Sequence, residues 1–165
     1  MSAITAVCPG SFDPVTVGHL DIIRRAANMF DRVIVVVVPN AAKNNVFTEA
    51  ERVDMLRAVT GQISNVELDI YDGLLVDYVK QRGAAAIVKG LRAVSDFEYE
   101  FQQALTNKKL CPAADTVFLT TSTENMFLSS SMVRLIAGYG GDISDFVPPE
   151  IHDFIKRRLL SKSQL

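Results

Sequence analysis

The residues best suited to chemistry fall in three short segments, and the chemistry common to all three is the handling of phosphate. The first reads Pro9-Gly10-Ser11-Phe12-Asp13-Pro14-Val15-Thr16-Val17-Gly18-His19. Its glycines let a ligand approach the backbone, and Ser11 and Thr16 add hydroxyls. His19 stands where the next helix begins, beside unpaired N–H groups and the positive end of the helix dipole. The second is Lys89-Gly90-Leu91-Arg92, two cations around a glycine, with Arg92 able to fork onto phosphate oxygens. The third is Leu128-Ser129-Ser130-Ser131-Met132-Val133-Arg134, a serine run at a helix start with a cation just over one turn further on. Lys43, in a polar loop, is a fourth candidate. Taken singly, each also suits something plainer: a strand-to-helix turn, a solvated pair of surface charges, an N-cap with solubilising serines, a solvated loop lysine. Neither a P-loop nor a dinucleotide-binding glycine fingerprint is present.

The elements that must position these residues alternate in type. Apolar, largely β-branched runs predict strands over residues 3–8, 33–38, 66–71, 85–89 and 116–120. Helical spacing predicts helices from Gly18, from the capping box Thr48-x-x-Glu51, and over 74–82, 96–110, 129–139 and about 149–160. This is an α/β pattern. It implies one domain over residues 1–165, built as a doubly wound, parallel five-stranded sheet with helices on both faces and two C-terminal helices. In such sheets ligands bind beyond the carboxyl ends of the strands, and the three segments follow three different strands. Neither a nucleophile–base pair nor an acidic metal cluster accompanies them, so no metal-ligating residue is assigned. The joint reading is a site that works by positioning and charge neutralisation.

Bulk properties bound this further. The chain has 165 residues, 48% of them apolar, and a formal net charge of −2. That balance argues against a nucleic-acid backbone as partner and leaves small anions open. The longest apolar run, residues 33–38, suits a buried strand and is too short to span a membrane. The first residues lack a basic and hydrophobic leader pattern, and two cysteines make neither a disulfide framework nor a zinc pattern. A cytoplasmic location is expected. His152 is expected at the surface and Cys8 as a small core residue.

Thr16-Val17-Gly18-His19 and the Leu128–Arg134 segment resemble the (H/T)-x-G-H and I-S-S-[ST]-x-x-R signatures of a nucleotidyltransferase superfamily with a Rossmann-like fold. Pro9 to Pro14, Lys89 to Arg92 and Asp96-Phe97-Glu98-Tyr99-Glu100 narrow the resemblance to the bacterial phosphopantetheine adenylyltransferase family, in order and over nearly the whole chain. The resemblance implies transfer of AMP from ATP to 4′-phosphopantetheine, giving dephospho-CoA and pyrophosphate, with Mg²⁺ as cofactor. It implies catalytic roles for His19, Lys43 and Arg92. It places Ser11, Phe12, His19, Gly90, Leu91, Arg92, Glu100 and the run Asn125, Met126, Phe127, Leu128, Ser129, Ser130 and Ser131 at ATP. Ser11, Lys43, Leu75, Lys89 and Asn107 would face the second substrate. A homohexamer and feedback by coenzyme A are implied too. Other adenylyl- or cytidylyltransferases of the superfamily, or a nucleotide-binding module without catalysis, are the alternatives. The sequence departs from the family pattern at Lys89, often Arg, at Asn125, often aromatic, and at Leu128 for Ile.

Overall fold

A computed structural model describes residues 3–39 and 44–160. The chain alternates β1 (Thr5–Gly10), α1 (Val17–Met29), β2 (Arg32–Val37), α2 (Glu49–Thr60), β3 (Val66–Ile70), α3 (Leu75–Arg82), β4 (Ala86–Leu91), α4 (Val94–Leu110) and β5 (Asp115–Thr120). A 3₁₀ turn (Thr123–Asn125), α5 (Ser130–Gly138) and α6 (Pro149–Leu160) complete it.

All neighbouring strands pair parallel, in the order β3-β2-β1-β4-β5. Such a sheet must be covered on both faces, which is why β2 reads as an unbroken Val-Ile-Val run. Val33, Val35 and Val37 enter the larger core, with apolar residues of α1, α2, α5 and α6. Ile34 and Val36 enter the smaller one with Val76, Tyr78 and Val79 of α3. The strand order steps outward from β1 in both directions, so the chain's direction of winding reverses between β1 and β4. That is the topological switch point at which a crevice opens.

The registers show how it opens. β1 pairs with β2 along its full length, from Thr5↔Arg32 to Gly10↔Val37. Its pairing with β4 ends at Val7↔Ile87. Pro9 has no N–H to offer a ladder, and the two strands part below it. Two sequence expectations are corrected here. β1 runs on through Pro9 to Gly10, and β4 runs on past Lys89 through Gly90 to Leu91, so Pro9, Gly10, Gly90 and Leu91 are strand and not turn. The strand partners β2 and β5 carry each extension. The Thr48–Glu51 capping box forms as expected, with Thr48 Oγ1 accepting from Glu51 N–H and Glu51 accepting from Thr48 N–H.

Candidate active site

The crevice is a cavity of about 550 Å³ at the carboxyl ends of β1 and β4. Its first wall is the β1–α1 loop. Phe12 takes a left-handed backbone (φ 49°), which a bulky residue adopts only under constraint. The constraint is its ring, buried against Gly10: a Cβ on Gly10 would stand 2.8 Å from the ring tip. The ring also meets His19 edge-on, with centroids 5.2 Å apart. Both contacts orient His19.

His19 is held more tightly by Thr16. Thr16 caps α1, its Oγ1 accepting from His19 N–H at 3.3 Å, while Thr16 N–H donates to His19 Nδ1 at 3.1 Å. This reciprocal box uses a histidine where Glu or Gln is usual. Because Nδ1 accepts, the neutral ring carries its proton on Nε2. Burial, aided by the Arg92 charge, lowers the His19 pKa to about 4. At neutral pH His19 is therefore an uncharged Nε2–H donor on the cavity wall.

The second wall is the end of β4. Lys89 forms an ion pair with Glu100 of α4 at 3.2 Å. Arg92 pairs with Asp96 at 3.2 Å and donates to the Leu128 carbonyl at 2.9 Å, tying β4 to the segment before α5. The third wall is the start of α5. Ser129 accepts from Met132 N–H as N-cap, and Ser130 donates to the Pro14 carbonyl at 2.8 Å. Arg134 donates to the Asp13 carbonyl and pairs with the Asp13 carboxylate at 3.2 Å. The cavity wall thus has a consistent charge pattern. Lys89, Arg92 and Arg134, its cations among the described residues, each stand against a carboxylate.

The cavity gathers most of the residues singled out in the sequence. Ser11, Phe12 and His19 line it from the first segment, Lys89, Gly90, Arg92 and Glu100 from β4 and α4, and Asn125 and Leu128 with Ser129, Ser130 and Ser131 from the third. Leu75, Leu91, Asn107, Met126 and Phe127 do not line it. Leu75 opens α3 beyond β3, at the far edge of the sheet, and Asn107 lies near the C-terminal end of α4. Met126 and Phe127 are exposed, and the Phe127 ring meets Phe146 edge-on. Lys43 lies outside the described residues.

Comparison with known proteins identifies the family. Residues 7–136 match a family model described as cytidylyltransferase-like. A phosphopantetheine adenylyltransferase of Caldanaerobacter subterraneus subsp. tengcongensis is 56% identical over 157 residues, covering 95% of this chain and 96% of that protein. One from Heliobacterium modesticaldum is 57% identical over 146 residues (88% and 87%), and one from Dictyoglomus turgidum 55% over 159 residues (96% and 97%). The chain belongs to the phosphopantetheine adenylyltransferase family. The fold has a solved counterpart in a putative nicotinate-nucleotide adenylyltransferase from Vibrio parahaemolyticus, with TM-score 0.66 over 98% of this chain and 94% of that one, at 18% identity.

For an adenylyltransferase of this family, some cavity residues do more than sequence reasoning assigns them. Asp13 is 2% exposed, and its carboxylate accepts from Val46 N–H and Phe47 N–H as well as from Arg134. Nothing in its spacing distinguishes a buried carboxylate from a turn residue. Sequence reasoning reads Thr16 only as a hydroxyl; its capping role could have been found, because Thr16-x-x-His19 has the spacing of a capping box. Cys8, on the wall at the end of β1, is inert: burial drives its thiol up to about 12.

Proposed function

We propose that this protein joins the magnesium complex of ATP to 4′-phosphopantetheine by direct in-line transfer, with His19 stabilising the α-phosphate as the reaction proceeds. The observation that carries this reading is the locked tautomer of His19, which presents a neutral Nε2–H into a cavity whose other walls are Lys89, Arg92 and the start of α5. An acceptor phosphate oxygen attacks the α-phosphorus, a new P–O bond forms, and the bond to the β-phosphate oxygen breaks to release pyrophosphate. Charge builds on the α-phosphate oxygens in the transition state. A fixed, uncharged donor placed there strengthens its hydrogen bond as that charge grows, without reorganisation. The residues do the rest by position: Arg92 and the N–H groups of α5 hold the nucleotide's phosphates, and Lys89 turns from Glu100 to the incoming phosphate.

Among the described residues no group of three or more His, Cys, Asp or Glu could hold a metal ion. The Asp13 carboxylate is already engaged by Arg134 and two backbone N–H groups. This donor set fits an ion carried in on the phosphate oxygens, where it would neutralise charge on the leaving pyrophosphate. Lys43 and Leu75 are proposed on the acceptor side, as the family resemblance implies, and coenzyme A as a feedback ligand on the same grounds. A homohexamer is supported by the apolar residues that α4 leaves in solvent, among them Phe101 and Leu105. A cytoplasmic setting is consistent with the finding that no described helix is long and apolar enough to cross a membrane.

The test is pyrophosphate release from ATP with one acceptor at a time. Release should require 4′-phosphopantetheine and should not occur with nicotinamide mononucleotide, nicotinate mononucleotide or phosphocholine. Release with one of those alone would reassign the acceptor. Tight ATP binding with no release on any acceptor would make the site a binding module.

A further inference from the structure

Arg52, on the first turn of α2, is 2% exposed and ranks among the largest fully buried side chains of the protein. Its guanidinium donates through Nη1 to the Ser11 carbonyl at 2.8 Å, and through Nε to the Thr48 carbonyl at 3.4 Å. Both partners are neutral. No Asp or Glu pairs with it among the described residues, and residues 40–43, Asn-Ala-Ala-Lys, contain no acidic side chain. A guanidinium is always charged. A buried charge with only dipoles around it is costly unless something compensates it.

The cavity explains why such a charge would be kept. On its walls, Lys89, Arg92 and Arg134 are matched by Glu100, Asp96 and Asp13. Before a ligand arrives, these pairs leave little surplus positive charge to attract an anion. Arg52 sits behind the wall, against the backbone of Ser11, and Ser11 lines the cavity. Among the described residues it is the cation next to the phosphate loop that no carboxylate cancels.

We propose that Arg52 is a positioning residue that also supplies the net positive charge of the nucleotide site, with the bound phosphates as its counter-ion. It rests on the reading of the cavity as an ATP site and goes beyond it by assigning the source of its anion affinity. Two effects come from one side chain. The hydrogen bond to the Ser11 carbonyl fixes the turn that carries Phe12 and leads into Thr16 and His19. The charge acts across one thickness of backbone, where the effective dielectric is low and salt screens weakly. The attraction, and the affinity lost when the charge is removed, must grow with the charge of the ligand, so AMP, ADP and ATP form a graded series.

The experiment is calorimetric titration of AMP, ADP and ATP into the wild-type protein, Arg52→Lys and Arg52→Gln, with a thermal melt of each. Arg52→Gln keeps a donor near Ser11 and removes the charge; Arg52→Lys keeps the charge and loses the fork. The expected result is about tenfold weaker ATP binding in Arg52→Gln, a smaller loss for ADP, and at most about threefold for AMP. Arg52→Lys should stay within about threefold of wild type for all three, even if its melting temperature falls. Equal losses across the series in Arg52→Gln, which a merely displaced loop would give, overturn the proposal. So does an Arg52→Lys that loses as much ATP affinity as Arg52→Gln. If Arg52→Gln does not fold, Arg52→Lys decides alone: retained ATP affinity supports the charge role, and a loss in all three ligands overturns it. Wild-type protein that binds ATP while both variants bind equally well removes Arg52 from the site and leaves the adenylyltransferase reading standing. Wild-type protein that binds none of the three ligands overturns both.

Discussion

His19 enters the cavity with its two ring nitrogens already assigned, Nδ1 accepting from Thr16 N–H and Nε2 left as the donor. Its spacing after Gly18 makes it a phosphate ligand in the sequence and leaves its protonation open. The answer comes from two things a sequence does not display, the burial of the ring and the approach of Arg92 from another strand. Replacing His19 by Ala should lower kcat by roughly 10²–10³-fold with KM little changed, the loss expected for one transition-state donor. A steady-state comparison with both substrates varied reads this, and a loss confined to KM would remove the transition-state role. The pKa carries a second consequence. The folded protein holds His19 at about 4, below the ordinary histidine value of 6.5, so between these pH values the unfolded chain binds more protons. Stability from His19 is fully present above about pH 6.5 and drains away as pH falls towards 4. Urea unfolding of wild type and His19→Gln at about pH 7 and about pH 4.5 should show a steeper loss in wild type.

Between elements, the member that joins most pieces is Asp13. It holds the approach to α2 through Val46 N–H and Phe47 N–H and holds α5 through Arg134, while Ser130 returns a hydrogen bond to Pro14 beside it. Breaking a buried ion pair from one side leaves the other charge uncompensated, so Asp13→Ala should destabilise the protein by about 3–5 kcal/mol. Asp13→Asn keeps an acceptor for the backbone N–H groups and should cost less. Denaturant midpoints for the two variants check this, and equal, small shifts would show that Arg134 finds another partner. Most elements are legible in the amino-acid sequence alone, because a β-branched run such as Val33 to Val37 and a capping box such as Thr48–Glu51 are local patterns. Pairing is not local. That β4 continues past Lys89 to Leu91 is decided by β5 alongside it, and that Asp13 is buried is decided by segments 34 and 121 residues away.

Over the whole molecule, the net charge of −2 and the phosphate site are reconciled by pairing rather than by segregation. The cavity cations are matched to carboxylates, and among the described residues Arg52 is the buried cation without one. The apolar surface is less balanced. On α4, Phe97, Phe101 and Leu105 recur every four residues and so share one face, stacked ring on ring at 5.4 Å for the two phenylalanines. In a single chain that face would be expected against the core, yet these residues are 42%, 44% and 56% exposed. Apolar stripes of this kind are binding surfaces in soluble proteins, and the homohexamer proposed above gives this one an occupant, further copies of the same chain. Sedimentation of the wild-type protein should then give a species of about six chains. A Phe101→Asp/Leu105→Asp variant should sediment as a smaller species while keeping its helical circular dichroism, since neither side chain is needed for the fold of one chain. A wild-type protein that sediments as a single chain would leave the stripe to some other partner, and an undisturbed hexamer in the double variant would place the interface on a different face.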